Sequence, residues 1–212
     1  MSVDEPSASL VRSKQRVTDH GEVFTPDWMV DDMLDQVKDE TDRIGSRFLE
    51  PACGSGNFLA PILLRKLQAV QGRYAKSPFE LQHQAIFALM SVYGIELLPD
   101  NLDECRARLL TVFLEFLGAS ATPEWERAGS VVLTANIIRG DAMTMKTPAD
   151  EMIQFPEWAY LGRGRYQRRD FRLDSLSQRS KVEGTLFDHL DEHEVFIPSR
   201  VYPPMTVKEL AA

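Results

Sequence analysis

A glycine loop and three acidic residues have the types and the spacing that predict a ligand-binding site in this chain. Glu50 precedes a loop that contains Gly54 and Gly56, and Glu96 and Asp141 each end a later apolar segment. Glycine lets backbone N–H groups approach a ligand closely because it has no Cβ atom, and the start of a following helix favours negative charge. The loop therefore predicts a site for a nucleotide-like cofactor. A tight turn that binds nothing is the alternative, because a Gly-x-Gly pair alone is a weak signal.

Alternating strands and helices are predicted to position these residues. Segments 48–49, 91–97 and 137–142 have the apolar composition of short buried strands, and helical periodicity is found in 58–70, 76–90, 99–113 and 125–135. Strands separated by helices pair in parallel in an open α/β sheet. Ligands bind at the carboxyl ends of such strands. The three acidic residues are therefore expected at one edge of the sheet.

A further helix is predicted before the first strand. Thr25 is suited to the N-cap and Pro26 to the first helical position. The residues at helical spacing that predict one apolar face of this helix are Trp28, Met29, Met33, Leu34 and Val37. Residues 1–18 are polar and lack periodicity, so a flexible arm is expected there.

The last third of the chain differs from the rest in its predicted elements and in its charge. Residues 158–173 predict two strands around the turn Gly162-Arg163-Gly164, with arginines and aromatic residues interleaved. Basic residues outnumber acidic ones in 158–181, although the whole chain has a net charge of −8. This composition suits contact with DNA, and a solvated hairpin that resists aggregation is the alternative. The candidate DNA contacts are Arg163, Arg165, Arg168, Arg169 and Arg172.

These patterns divide the chain of 212 residues into an arm (1–18), a cofactor-binding domain (19–150) and a C-terminal extension (151–212). Two cysteines provide no disulfide framework, and no segment predicts a signal peptide or a membrane span. We therefore expect a cytoplasmic protein. His189 and His193 lie four residues apart, but a third strong ligand is not evident, so no metal site is predicted.

Four segments, in order, resemble motifs of the gamma-type N6-adenine-specific DNA methyltransferases of bacterial restriction–modification systems. They are 21–26, 48–59, 93–96 and 140–142, and the second reads Phe-Leu-Glu-Pro-Ala-Cys-Gly-Ser-Gly-Asn-Phe-Leu. The resemblance implies a class I, Rossmann-like α/β fold with a mostly parallel sheet and S-adenosylmethionine (SAM) as the cofactor. Leu59 stands where a dinucleotide fingerprint has its third glycine, which disfavours a nicotinamide cofactor.

The resemblance also implies roles for single residues. Phe24 and Thr25 would contact the methionine end of SAM, Glu96 would bind the ribose, and Asp141 would accept the amino group of the adenine. The residues that would line the loop are Glu50, Ala52, Gly54 and Gly56.

The chain departs from this family at the catalytic motif, Asp/Asn/Ser-Pro-Pro-Tyr/Phe. Residues 155–158 read Phe-Pro-Glu-Trp, and the pair Pro203-Pro204 follows Tyr202 and precedes Met205. We expect an extended tail there, without a following helix, and no residues remain for a target-recognition region. Catalytic residues are therefore not assigned. Either a partner subunit supplies the catalytic loop and target recognition, or the chain is a catalytically silent SAM-binding or regulatory partner in restriction–modification or phage biology.

Overall fold

The computed structural model describes residues 15, 16, 18, 25–175 and 197–212. Its central parallel sheet consists of β1 (Phe48–Glu50), β2 (Val92–Glu96) and β3 (Ile137–Arg139), in that order. β2 pairs in parallel with both neighbours, so that Leu49 lies beside Tyr93 and Ile95 beside Ile138. The three strands therefore end at the same edge, as the alternating pattern predicts.

Helices connect these strands, and their order follows the predicted one. They are α1 (Asp27–Asp35), α2 (Lys38–Thr41), α3 (Leu59–Tyr74), α4 (Pro78–Leu89), α5 (Pro99–Leu117) and α6 (Pro123–Asn136), with a 3₁₀ turn at Gly118–Ser120. Proline occupies the first turn of α4, α5 and α6. It suits that position because its fixed φ matches the helix and its missing N–H has no helical partner there.

Close packing of α3 on β2 explains why the strand β2 contains a glycine, Gly94. A Cβ atom on Gly94 would lie 2.8 Å from Cys53 Sγ and 3.0 Å from Leu59 Cδ1. Leu59, Leu63 and Leu67 lie on one side of α3 and are almost fully buried. Each contributes about 1.5–3 kcal/mol on burial. Any larger residue at position 94 would push α3 away from the sheet.

A second sheet is antiparallel and contacts the parallel sheet where the ring centre of Phe155 lies 5.5 Å from that of Tyr93. It consists of β4 (Gln154–Gly162), β5 (Arg165–Arg172), β6 (Arg200–Val201) and β7 (Met205–Thr206). The turn between β4 and β5 has positive φ at Gly162, Arg163 and Gly164. This hairpin confirms the two strands that the sequence predicts around the Gly-Arg-Gly turn.

The β4–β5 hairpin runs along the parallel sheet from one edge to the other. At the carboxyl edge, a Cβ atom on Gly140 would lie 2.6 Å from Ile153 Cδ1. Near the amino edge, Trp158 Nε1 donates to Asn136 Oδ1 at 2.9 Å, just before β3 begins. The tip of the hairpin therefore lies beyond the amino edge, and nine strand residues span about 30 Å.

The C-terminal tail differs from the prediction of an extended segment without a helix. Pro203 and Pro204 lie between β6 and β7, which both pair with β5. A one-turn helix, α7 (Val207–Leu210), follows them and packs on α6. Thr206 and Glu209 form a capping box at its start, and Val207 and Leu210 are buried. Capping and burial together stabilise this short helix.

The N-terminal helix also differs from its prediction. Pro26, with ψ of 145°, is the N-cap of α1 instead of Thr25, and no side chain caps the helix. The carbonyl of Pro26 accepts the first helical hydrogen bond, from Val30 N at 3.1 Å. The predicted apolar face is wrong because α1 packs through Val30 and Leu34, and the other residues of that face are exposed: Trp28, Met29, Met33 and Val37.

The proposed arm lies mostly outside the described residues, and Gln15, Arg16 and Thr18 are helical. Within the part of the chain that the structure describes, no helix has both the length and the apolar surface needed to cross a membrane.

Candidate cofactor-binding site

The glycine loop between β1 and α3 is held against the end of β2. Cys53 N donates to Ile95 O at 3.0 Å, and Gly54 N donates to Glu96 Oε2 at 2.8 Å. Within the loop, Gly56 N donates to Cys53 O at 2.8 Å. Two bonds to β2 and one bond within the loop hold its shape before any ligand arrives, which favours binding because little ordering remains to be done.

The two loop glycines have different environments. Both have positive φ, +52° at Gly54 and +87° at Gly56, a region that glycine adopts without strain. A Cβ atom on Gly56 would lie 3.0 Å from Cys105 Sγ, whereas a Cβ atom on Gly54 would meet nothing within 4 Å. Gly56 is therefore required for packing against α5. Gly54 leaves an open approach to the loop backbone.

Glu96 connects the loop with the start of α5. Its side chain is buried, and Leu98 N donates to Oε1 at 2.8 Å while Gly54 N binds Oε2. These two donors compensate the buried charge, since a buried carboxylate is costly unless it is hydrogen-bonded. A carboxylate has about four acceptor positions, so both oxygens retain capacity for ligand hydroxyls.

Asp141 lies on the same edge, beside a cleft. Its Oδ1 accepts from Met143 N at 2.8 Å, and its backbone N–H donates to Lys146 O at 2.9 Å. The cleft has a volume of about 590 Å³, and its wall includes Leu97 beside Asp141. Leu97 is 53% exposed. An apolar side chain next to a carboxylate suits a flat ring that carries an amino group.

Leu97 is a candidate site residue that the sequence interpretation missed. It directly follows Glu96 at the end of β2 and lines the cleft. An apolar residue after a strand-end acid is a detectable signal, but the same pattern also describes an ordinary strand end.

Glu50 completes the carboxyl edge. It is the last residue of β1 and lies beside Gly94 of β2. Burial raises the pKa of its carboxyl group, and a hydrogen bond from the backbone of Ala52 opposes this change. Thr25 directly precedes Pro26 at the start of α1, and Phe24 lies outside the described residues. The structure therefore brings Glu50, the loop, Glu96 and Asp141 to one edge.

Cys53 has the environment of a packed, unreactive thiol. Its side chain donates a hydrogen bond to Cys105, and this bond and burial both raise the pKa of Cys53. Both cysteines are buried. A thiol held in its protonated form is a poor nucleophile, so Cys53 supplies packing beneath the loop.

The hairpin arginines lie in two kinds of environment. Ion pairs join Arg168 to Asp170, Arg169 to Glu157 and Arg172 to Asp174. In contrast, Arg163 and Arg165 lie exposed at the tip and form no ion pair with any described residue. Intrachain carboxylates therefore neutralise most of the predicted basic surface, and the remaining two arginines are at the opposite edge from the glycine loop.

No cluster of three metal-binding side chains occurs among the described residues, and His189 and His193 lie outside them. Residues 155–158 belong to β4, where Pro156 O accepts a hydrogen bond from Tyr93 OH at 2.9 Å.

In comparisons with known proteins, no family model matches this chain, and neither a curated protein nor a solved structure matches it.

Proposed function

We propose that this chain binds SAM at the carboxyl edge of its parallel sheet. The observation that carries the proposal is the position of Glu96, whose carboxylate holds Gly54 of the loop and the start of α5 at once. Gly54, which donates to Glu96, has open space where a Cβ atom would lie. This arrangement suits a molecule with a hydroxylated ring between two differently charged ends.

The parts of SAM correspond to groups along this edge. The carboxylate of its methionine fits the N–H groups of the loop and the start of α3. The ribose hydroxyls fit the remaining acceptor positions of Glu96. The adenine fits the cleft beside Leu97, with its amino group donating to Asp141. These fits, and the order of the four sequence motifs, support a class I methyltransferase-like fold.

We further propose that the chain is the cofactor half of an N6-adenine DNA methyltransferase. Bound SAM would supply an activated methyl group for transfer to the N6 nitrogen of a target adenine. The chain would contribute chiefly by holding the methyl donor in line, because alignment lowers the barrier without acid–base chemistry.

A partner polypeptide is part of this proposal. Pro203 and Pro204 lie between two strands that pair with β5, and their neighbours Tyr202 and Met205 do not form the family's catalytic motif. We therefore assign the catalytic loop and the DNA-binding surface to the partner. The same observation favours the second candidate, a catalytically silent SAM-binding protein.

Calorimetric titration with SAM tests the site through a matched pair of substitutions. Asparagine and aspartate both tolerate positive φ, so Gly54→Asn and Gly54→Asp differ mainly in charge. We expect at least tenfold weaker SAM binding for Gly54→Asp than for Gly54→Asn, because its carboxylate repels that of the methionine. Glu96→Gln should also weaken binding at least tenfold, since its amide NH₂ must face a backbone N–H. Glu115→Gln, an exposed change on α5, is the control.

Absence of SAM binding by the wild-type chain, or tighter binding of NAD than of SAM, would refute the proposal. The two candidates differ in methyl transfer. Labelled methyl groups should reach DNA only when a polypeptide carrying the missing motif is added, whereas the silent protein transfers none in any combination.

A further inference from the structure

Helix α1 presents apolar side chains to the surface. Trp28 is 64% exposed, Met33 49%, Val37 42% and Met29 38%, while Val30 and Leu34 are buried on the neighbouring side of the helix. Two ion pairs orient α1 in this way, because Arg65 of α3 contacts both Asp31 and Asp35.

The exposed side chains form a continuous stripe. Met29, Met33 and Val37 are each four residues apart, so they follow one line along α1 and into the turn before α2. Trp28 lies beside this line. Single exposed apolar residues are ordinary, but a contiguous patch that includes tryptophan marks an interaction surface. Methionine suits such a surface because its flexible side chain adapts to a partner.

Acidic residues surround this stripe. Segment 27–42 contains seven acidic residues and one lysine. Within the described part of the chain, Arg65 pairs with Asp31 and Asp35, and Arg43 pairs with Glu40. Asp27, Asp32 and Asp39 are exposed and have no basic partner among the described residues. The surface is therefore apolar along its centre and negative around it.

We propose that this α1 surface, formed by Trp28, Met29, Met33 and Val37 with the acidic residues around them, docks a basic amphipathic helix of a partner protein. An amphipathic helix places its apolar side chains on such a stripe, and its lysines and arginines meet the surrounding carboxylates. DNA and anionic membranes are repelled by the same carboxylates. The inference is independent of the proposed cofactor.

Trp28 provides a direct reporter of docking. The chain has three tryptophans, and Trp125 and Trp158 are almost buried. We would titrate the full chain with a synthetic helix of about 18 residues that carries leucine on one face and lysine on the other. We expect a blue shift of tryptophan emission and an affinity that falls with added salt. The shift should disappear in Trp28→Phe and with a peptide in which glutamate replaces lysine.

A matched pair of substitutions locates the contact. Met33→Lys places a charge in the stripe, and Val131→Lys makes a similar change on α6, where the side chain is 37% exposed. We expect peptide binding, followed by calorimetry, to weaken at least tenfold in Met33→Lys and to change less than twofold in Val131→Lys. Urea unfolding checks that both variants are folded, which the exposure of both positions favours.

Three outcomes would overturn this inference. The first is an unchanged Trp28 emission at saturating peptide, and the second is equal weakening in the two lysine variants. The third is occupation of the surface by something else. Sedimentation that shows a wild-type dimer and a Met33→Lys monomer would assign the surface to a second copy of the chain. Binding to anionic phosphatidylserine vesicles that Met33→Lys abolishes would assign it to a membrane.

Discussion

At the scale of the residue, Glu96 has a structural role in addition to the ribose contact that we propose for it. Backbone N–H groups of two different segments donate to its buried carboxylate, one to each oxygen. A glutamine in this position keeps one acceptor oxygen, so one of these two donors would face the amide NH₂. The predicted loss of SAM affinity in Glu96→Gln therefore comes from a weakened loop contact as well as from a missing ribose contact.

Lys66 is a second charged residue with a structural role. It is fully buried, and its Nζ donates to the carbonyl oxygens of Arg43, Ile44 and Ser46. The ammonium group also lies 5.1 Å from the ring centre of Phe48. These contacts connect α3 with the turn that leads into β1.

Substitution of Lys66 by methionine tests this connection. The variant keeps the apolar stem but leaves three carbonyl oxygens without their donor. Because an unsatisfied buried acceptor is costly, we expect the free energy of unfolding to fall by about 2–3 kcal/mol. Urea unfolding followed by circular dichroism measures this change. Equal stability of Lys66→Met and the wild type would show that water replaces the donor.

At the scale of the element, the tip of the β4–β5 hairpin is attached to α4. His83 Nδ1 and Tyr166 OH lie 2.7 Å apart, and Tyr160 OH donates to Glu80 Oε2 at 3.1 Å. Gly164 packs directly on the His83 ring. This attachment fixes the hairpin beyond the amino edge of the parallel sheet.

Alanine substitutions at two glycines of the same turn distinguish the cost of steric contact from the cost of backbone strain. A Cβ atom on Gly164 would lie 2.8 Å from His83 Nε2, whereas a Cβ atom on Gly162 would meet nothing within 4 Å. Both have positive φ, +70° and +80°. We expect Gly162→Ala to lower the unfolding free energy by about 1 kcal/mol and Gly164→Ala by about 3 kcal/mol.

Urea unfolding of both alanine variants measures this difference, and hydrogen exchange of β5 shows whether the loss is local to the hairpin. A smaller loss for Gly164→Ala than for Gly162→Ala would mean that the His83 ring moves away without cost.

At the scale of the whole molecule, stability depends on pH through Lys66. Burial lowers the pKa of Lys66 from 10.5 to about 7. In the unfolded chain the lysine keeps its proton up to about pH 10.5, but in the folded protein it releases the proton above pH 7. The unfolded state therefore binds more protons between these values, and stability rises with pH in this window.

We expect the unfolding free energy of the wild type to rise by about 2 kcal/mol from pH 7 to pH 9, relative to Lys66→Met. Urea unfolding at both pH values measures the difference. Lys208→Met, which removes an exposed lysine of α7, should behave like the wild type. An identical pH dependence of Lys66→Met and the wild type would show that Lys66 stays protonated inside the fold.

Local sequence signals predict the alternating elements and the edge of the sheet at which the acidic residues meet. Apolar periodicity predicts the helices and strands, and prolines mark the start of three helices. Because the strands pair in parallel, Glu50, Glu96 and Asp141 lie at one edge of the sheet. The glycine loop was predictable for the same reason, since its backbone shape depends on Gly54 and Gly56 themselves.

Which surfaces are covered depends on tertiary contacts that the local sequence pattern does not contain. The orientation of α1 depends on Arg65, about thirty residues away in the chain, so the exposure of Trp28 and Met33 was not visible in the helix pattern. The sequence predicts a basic surface from the arginines of the hairpin. In the structure, Glu157 and Asp170 form ion pairs with two of them. Packing and charge pairing join residues that are distant in sequence or on adjacent strands, and no local pattern encodes them.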